Sequence, residues 1–282
     1  QGAGLVSKAP VLRLEKFAIT TEGSMLDLEV EPGDIYALIG TAGCGKSTFL
    51  ETVAGEERPA CGTVYLTGDA LLAEYGDGRT RQTPLGMAKS ISKRMSRDRI
   101  AFTLSALGLW DDREQQIGKL PPSMIVACDL IPLLASDCEL LLIDGHLDYL
   151  DPWTLDTTLE AMFQLAEEGT SLLIGTQRPD LAERLGNLIV LHEGQVKFAG
   201  PTEELVKGLE PSELVMEADD LSTVQSMVQP FALNIRTRGR KLYIQAEDGQ
   251  QVAARLLTHG YGRVKSVVVR EPSVEEALLR LL

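Results

Sequence analysis

The stretch 36–50, YALIGTAGCGKSTFL, constrains this chain more than any other. Gly40, Gly45, Lys46 and Ser47 satisfy the phosphate-loop spacing G-x-x-x-x-G-K-[ST], with Gly43 as a further glycine inside it. Residues 36–39 read as a buried strand, and 47–54 as a helix opening directly after the lysine. Glycines let the backbone curl so that several N–H groups point at one phosphate, and the helix N-terminus adds partial positive charge. In that arrangement Lys46 reaches the terminal phosphates of a nucleotide, and the Ser47 hydroxyl holds Mg²⁺.

The rest of the chain supplies the sheet that such a loop needs. Residues 11–18 and 25–30 alternate apolar with polar, as half-buried antiparallel strands do. After the loop helix, strand-like runs at 63–67, 139–144 and 171–176 are separated by helical segments at 85–110, 124–134 and 154–168. Pro132 must kink or end the second of these, because an internal proline costs about 3 kcal/mol. Residues 187–191 and 195–199 read as a hairpin. Strands alternating with helices predict an α/β domain with a mostly parallel sheet, and antiparallel strands at its start and end.

From residue 211 the pattern changes to strand, helix, hairpin, helix, strand, which is the split βαβ, or ferredoxin-like, order. A last helix follows at 273–282. The expected domains are therefore 1–208, with a helical subdomain at about 85–135, and a small α+β accessory domain at 211–282.

With 282 residues, 44% hydrophobic and 24% charged, the chain is long enough for two ordinary cores. A net charge of -14 argues against a general nucleic-acid binder, which needs a basic face. Arg79, Arg81, Lys89, Lys93, Arg94, Arg97 and Arg99 nevertheless make one segment basic, either as a solvated face or as a docking surface for an acidic partner or anionic headgroups. No run approaches the roughly 20 apolar residues of a membrane span. Cys44, Cys61, Cys128 and Cys138 lack metal-site spacing and read as free thiols. Cys44, inside the loop, adds the expectation that ligand binding responds to thiol oxidation.

Three stretches together carry a family resemblance: EPGDIYALIGTAGCGKST, ELLLIDGHLDYLDP and NLIVLHEGQVKFAGPTEEL. They resemble the ATPase subunits of ABC transporters, over residues 10–208. The tail VREPSVEEALLRLL looks like the accessory domain of ABC-2 type exporter ATPases. The resemblance implies the P-loop NTPase (ABC ATPase) fold, with ATP and Mg²⁺ as ligands. Gly40, Thr41, Ala42, Gly43, Cys44, Gly45, Lys46, Ser47 and Thr48 then form the nucleotide-binding loop. Asp144 joins Ser47 as a Mg²⁺ partner, and Asp151 faces a partner subunit. Phe17 matches the aromatic that stacks on adenine, although it reads equally as a core residue of its strand. Gln82 is the nearest candidate for a further metal-contacting glutamine.

Against that pattern the chain departs three times. Gly145 stands where the family has the glutamate that polarises water, and Gln177 stands where it has a histidine. No catalytic residue is therefore expected at either position. The signature LSGGQ is Leu120-Pro121-Pro122-Ser123-Met124, where Pro121 removes a hydroxyl and both prolines lack an N–H. Ser123 offers a hydroxyl if it caps the following helix.

Together these imply an ATP-binding subunit whose hydrolysis is weak or lost. It would pair with a second ABC ATPase subunit and couple to integral membrane permease subunits, at the cytoplasmic face of the cell membrane. The alternatives are a competent transport ATPase and a soluble, non-transport scaffold of the same type.

Overall fold

The computed structural model describes residues 9–76, 79–91, 96–207, 212–218, 220–246, 248–259, 264–270 and 273–281. Lys93 and Arg94 of the basic segment, and Pro211 at the expected boundary, lie outside them. The chain divides into two compact units, 1–201 and 202–282.

In the first unit, strand β1 (Leu12–Ala18) pairs antiparallel with β2 (Leu26–Val30), and later with β4 (Cys61–Leu66). Between them run β3 (Ile35–Ile39) and helix α1 (Lys46–Ala54). Next come β5 (Ala70–Leu72) and four helices: α2 (Pro84–Ile91), α3 (Arg97–Ala106), α4 (Pro122–Asp129) and α5 (Ile131–Ala135). The unit closes with β6 (Leu140–Asp144), α6 (Pro152–Glu167), β7 (Ser171–Thr176), α7 (Pro179–Leu185), β8 (Asn187–His192) and β9 (Gln195–Pro201). Its main sheet has the order β5-β6-β7-β3-β8-β9, parallel except for β9. The mostly parallel sheet with antiparallel strands expected from the sequence is present.

All five residues of β3 are buried, as a central parallel strand requires with both faces covered. Its neighbour α1 presses Phe49, Leu50 and Val53 into a core shared with Leu12, Leu14, Leu142, Leu173 and Ile189. Each such side chain contributes roughly 1.5–3 kcal/mol by leaving water. This packing fixes the strand and helix on either side of the phosphate loop. Pro132 acts as expected: α4 stops, Leu130 intervenes, and α5 restarts with the proline in its first turn. In the basic segment Arg81, Lys89 and Arg97 are exposed, while Arg99 donates to the Ser136 carbonyl at 3.0 Å.

One irregularity matters later. Lys16 sits at φ 48, and the β1 register shifts between Leu14 and Phe17. Its N–H turns to the Asp27 carboxylate at 2.8 Å. The extra residue inverts the in–out alternation beyond it. Phe17, which strict alternation places opposite Leu12 and Leu14, therefore turns into the same core.

The second unit holds α8 (Thr202–Lys207), β10 (Ser212–Ala218), α9 (Leu221–Val228), β11 (Asn234–Arg238), β12 (Lys241–Ala246), α10 (Gly249–His259), β13 (Val264–Arg270) and α11 (Val274–Leu281). Its antiparallel sheet has the order β11-β12-β10-β13. One face (Leu214, Met216, Leu242, Ile244) packs on Val224, Val228, Val252 and Leu256 of α9 and α10. Helix α9 starts on Asp220, which accepts from the Ser222 and Thr223 N–H groups and hydroxyls. The Ser222 and Thr223 hydrogen bonds hold its carboxyl well below the usual carboxylate range. Helix α8, expected within the first domain, contacts α11 and belongs to this unit. Among the described residues no helix is long and apolar enough to cross a membrane.

Candidate functional site

The loop between β3 and α1 has the conformation its glycines predict. Gly43 and Gly45 have φ of 75 and 108, in the region that side chains disfavour. At Gly40 the reason is space: a Cβ would stand 2.2 Å from the Leu191 carbonyl oxygen of β8. The loop is also tied to the β8–β9 turn, where the Gly194 N–H donates to the Cys44 carbonyl at 2.9 Å.

Lys46 opens α1 and curls back over the loop. Its Nζ donates to the carbonyls of Gly40 at 2.8 Å and Thr41 at 3.0 Å. No side chain caps the helix N-terminus, and no acid lies in its first turn. Its leading amides and positive end are thus available to an anion.

Ser47, next along, is exposed, and its Oγ donates to Asp144 Oδ2 at 2.6 Å. Asp144 is the last residue of β6, which the parallel sheet brings beside α1. A hydroxyl and a carboxylate side by side at a phosphate loop suit a hard cation that takes oxygen ligands, and Mg²⁺ fits that donor set.

These groups open on a cleft of about 350 Å³. Ala42, Gly43, Gly45, Lys46, Ser47 and Thr48 form one side, and Tyr75, Asp144, Gly145, Asp148, Tyr149 and Gln177 the other. Gly40 and Cys44 turn inward instead, and Thr41 contributes the carbonyl held by Lys46. Cys44 is only 3% exposed, so its thiol is shielded from oxidants rather than presented to them.

Three expectations need correction. Phe17 is wholly buried, edge-on to Phe49 with ring centroids 5.0 Å apart, because the bulge at Lys16 turns it inward. It has no face to offer a base. The side chain beside the loop is Ile19, whose Cδ1 would be 2.6 Å from a Cβ at Gly45. We expect Phe17→Ala to lower folding stability by about 3–5 kcal/mol while the folded protein keeps its nucleotide affinity. Denaturation and calorimetric titration of the variant check this. A selective loss of affinity at unchanged stability would restore the stacking role.

Gln82 is exposed beyond the turn Arg79–Arg81, outside the cleft lining, and its carbonyl accepts from the Ile117 N–H. It is no metal candidate. The residue that enters the cleft there is Tyr75, just past β5. Its Oη donates to the Asp144 carbonyl at 3.0 Å, and its ring stacks on His146 at 3.9 Å. Burial, then the charges of Tyr149, Asp144, Asp148 and Asp129, push its phenol up to about 12. It remains a donor at neutral pH. The available signal was its place directly after the strand that pairs with β6.

Ser123 is not a cap. The N-cap of α4 is Pro121, Pro122 follows, and no side chain closes the helix start. A proline at the first helical position is favourable, since its missing N–H would be unpaired anyway.

Opposite the loop, Gly145 has φ 71, and its N–H donates to the Gly175 carbonyl at 2.9 Å. A Cβ there would stand 3.4 Å from Tyr75 Oη. The Gln177 N–H donates to Asp148 Oδ2 at 2.9 Å, and the Thr176 hydroxyl donates to Oδ1 of the same carboxylate. Asp148 is thereby committed to holding the end of β7. His146 is fully buried, and burial pulls its imidazole down, against the neighbouring Asp144 charge. His146 lies outside the cleft lining, while Asp148 lines the cleft with its carboxylate engaged by Thr176 and Gln177. Asp151 caps α6, accepting from the Trp153 and Thr154 N–H groups, while Tyr149 and Trp153 beside it are 65% and 81% exposed.

Comparison with known proteins agrees with this geometry. The ABC transporter family matches residues 24–146. A lipoprotein-releasing system ATP-binding protein (LolD 1) of Rhodospirillum rubrum is 31% identical over 198 residues, which span 61% of this chain and 88% of that protein. The Nod factor export ATP-binding protein I of Cupriavidus metallidurans is 26% identical over 277 residues, 91% of this chain and 90% of that one. A solved ATP-binding subunit of an ABC transporter superposes with a TM-score of 0.60 at 20% identity, covering 70% of this chain and 92% of that one.

Proposed function

The chain belongs to the ABC transporter family as an ATP-binding subunit, and from that premise we propose that its own site holds Mg·ATP but hydrolyses it weakly or not at all. One observation carries this reading. The Ser47–Asp144 pair is intact at 2.6 Å, while the adjoining position is Gly145, with no side chain to act on water.

In this reading the loop amides and Lys46 hold the β- and γ-phosphates, and Ser47 and Asp144 hold Mg²⁺. Held by Ser47 and Asp144, such an ion would supply neutralisation of phosphate charge. Ile19 offers an aliphatic surface beside the loop at Gly45. Tyr75 keeps Asp144 oriented by donating to its main-chain oxygen. Gln177 can hydrogen-bond a phosphate or a water, yet cannot carry a proton through the reaction.

A dimer of such subunits has two composite sites. One combines this chain's loop with the partner's signature and lacks its glutamate; the other faces Pro121 and Pro122. A homodimer would carry both defects twice, so the chain pairs with a second, intact ATPase subunit. The exposed Tyr149 and Trp153, flanking Asp151, support a protein partner at that face, since aromatic side chains anchor interfaces. Closure would be passed to separate permease subunits at the cytoplasmic side of the cell membrane. The match to an export ATPase along 91% of this chain, accessory unit included, favours an exporter of the ABC-2 type.

The test is assembly. With Mg·ATP, sedimentation should show the isolated chain as a monomer, and a pull-down from its native host should recover a second ATPase subunit. A stable homodimer that hydrolyses ATP would overturn the proposal.

A further inference from the structure

The sheet of the second unit uses one face for its core, where Leu214, Met216, Leu242 and Ile244 pack on α9 and α10. Its edge strand β11 pairs antiparallel with β12, from Asn234 opposite Gln245 to Arg238 opposite Lys241. Side chains alternate along a strand, so Arg236, Arg238, Lys241 and Tyr243 stand on the face turned from those helices. Arg240 lies in the turn that joins the two strands, and all four cations are exposed. Residues 234–246 contain no Asp or Glu, in a chain whose net charge is -14.

This cluster works against stability. Like charges directly opposite on neighbouring strands repel, and Arg238 and Lys241 are such a pair. Among the described residues none of the four cations has an ion-pair partner. Glu217 stands opposite Lys241 on its other side without closing to ion-pair distance. On the same sheet Arg270 does reach a carboxylate, that of Glu213 at 3.9 Å. Charges on an edge strand guard against unwanted strand pairing, which accounts for Arg236 and Arg238. Arg240 in the turn and Lys241 on the inner strand β12 guard no edge.

Beside the cations runs an apolar row. Arg236, Tyr243, Val215 and Val268 are successive cross-strand neighbours, Tyr243 half-buried and Val268 52% exposed. Cations bordering apolar and tyrosyl side chains on a broad sheet face suit a bilayer surface. The cations meet anionic headgroups there, and the apolar side chains meet the acyl boundary.

We propose that the β11–β12 hairpin docks on an anionic lipid surface, with Arg236, Arg238, Arg240 and Lys241 on the headgroups. The contact is separate from the nucleotide cleft. It rests on the function proposed above only for where such lipid is met, and vesicle binding by the chain alone tests it without that reading.

The full chain is sedimented with vesicles of equal parts phosphatidylglycerol and phosphatidylcholine, and with vesicles of phosphatidylcholine alone. Saturable binding to the first, none to the second, and weakening with added salt are expected. Each cation changed to Gln should weaken binding about fivefold, and the fourfold variant Arg236→Gln, Arg238→Gln, Arg240→Gln, Lys241→Gln by at least about 100-fold. That variant should melt no lower than the original, because it loses only exposed side chains that repel one another. Lys241→Arg should retain binding. Equal binding to both vesicles, or binding indifferent to the fourfold substitution, overturns the proposal. So does an equal loss from Arg81→Gln with Lys89→Gln, at exposed cations of the first unit. Binding to a polyglutamate peptide or a single-stranded oligonucleotide that the mixed vesicles fail to displace also overturns it, since an acidic protein or a nucleic acid would then be the ligand.

Discussion

Lys46→Ala should weaken Mg·ATP binding by at least about 100-fold, the largest change expected from any single substitution in this chain. The ammonium is already held in place, at 2.8 Å from the Gly40 carbonyl and 3.0 Å from that of Thr41, so it costs little to present to a phosphate. Hydrogen bonds between charged groups are worth about 1.5–3 kcal/mol each, and every 1.4 kcal/mol is tenfold in affinity. Two such bonds to the β- and γ-phosphates account for the estimate. Folding should survive, because Lys46 bonds only to its own loop and the core beneath rests on Phe49, Leu50 and Val53. Calorimetric titration with Mg·ATP, alongside thermal melts of both proteins, measures the effect. An unchanged affinity would mean that nucleotide binds elsewhere.

Slow turnover is the second large effect. A positioned general base contributes typically 10²–10⁴-fold, and steady phosphate release from the purified chain should fall short of an intact subunit by about that factor. Gly145→Glu alone should recover less than about tenfold. The position has φ 71, where an L-residue costs about 1–2 kcal/mol, and the new Cβ would stand 3.4 Å from Tyr75 Oη. A glutamate there starts strained, beside a hydroxyl already engaged by the Asp144 carbonyl at 3.0 Å. The Gln177 position would also remain without a proton carrier. Rapid steady-state hydrolysis by the unaltered chain, abolished by Lys46→Ala, would refute the degenerate reading. Full rescue by Gly145→Glu would refute the strain argument.

Much of the first unit was legible because its signals are local. Buried strands such as 35–39 and 140–144 are short apolar runs, and Asp144 ends its strand in plain sight. The accessory unit read correctly in element order for the same reason, though its boundary did not. Helix α8 was assigned forward because nothing within its six residues reveals a contact with α11.

The site divides along the same line. Gly40, Lys46, Ser47 and Asp144 were proposed from sequence because the chemistry expected of them dictates residue type and spacing, and the structure places Ser47 against Asp144. Phe17 was misread: its strand alternates correctly until a single left-handed residue, Lys16, turns the remainder over. Ser123 was misplaced by two positions, since a proline can stand at the cap as well as inside the first turn. Tyr75 went unseen because its partner, Asp144, lies 69 residues away in the chain.

What the sequence determined by itself is the phosphate loop with its strand and helix, and the identities Gly145, Gln177 and Pro121 on which the proposed loss of hydrolysis rests. Those facts reside in residue identity within a few positions, where glycine geometry and lysine charge act directly. Only the tertiary structure decided which side chains stand beside the loop and the cleft: Ser47 against Asp144, Tyr75 stacked on His146, Ile19 next to Gly45 while Phe17 is buried. Such placements follow from strand register and from packing between distant segments, and a one-residue bulge is enough to exchange a wall residue for a core residue.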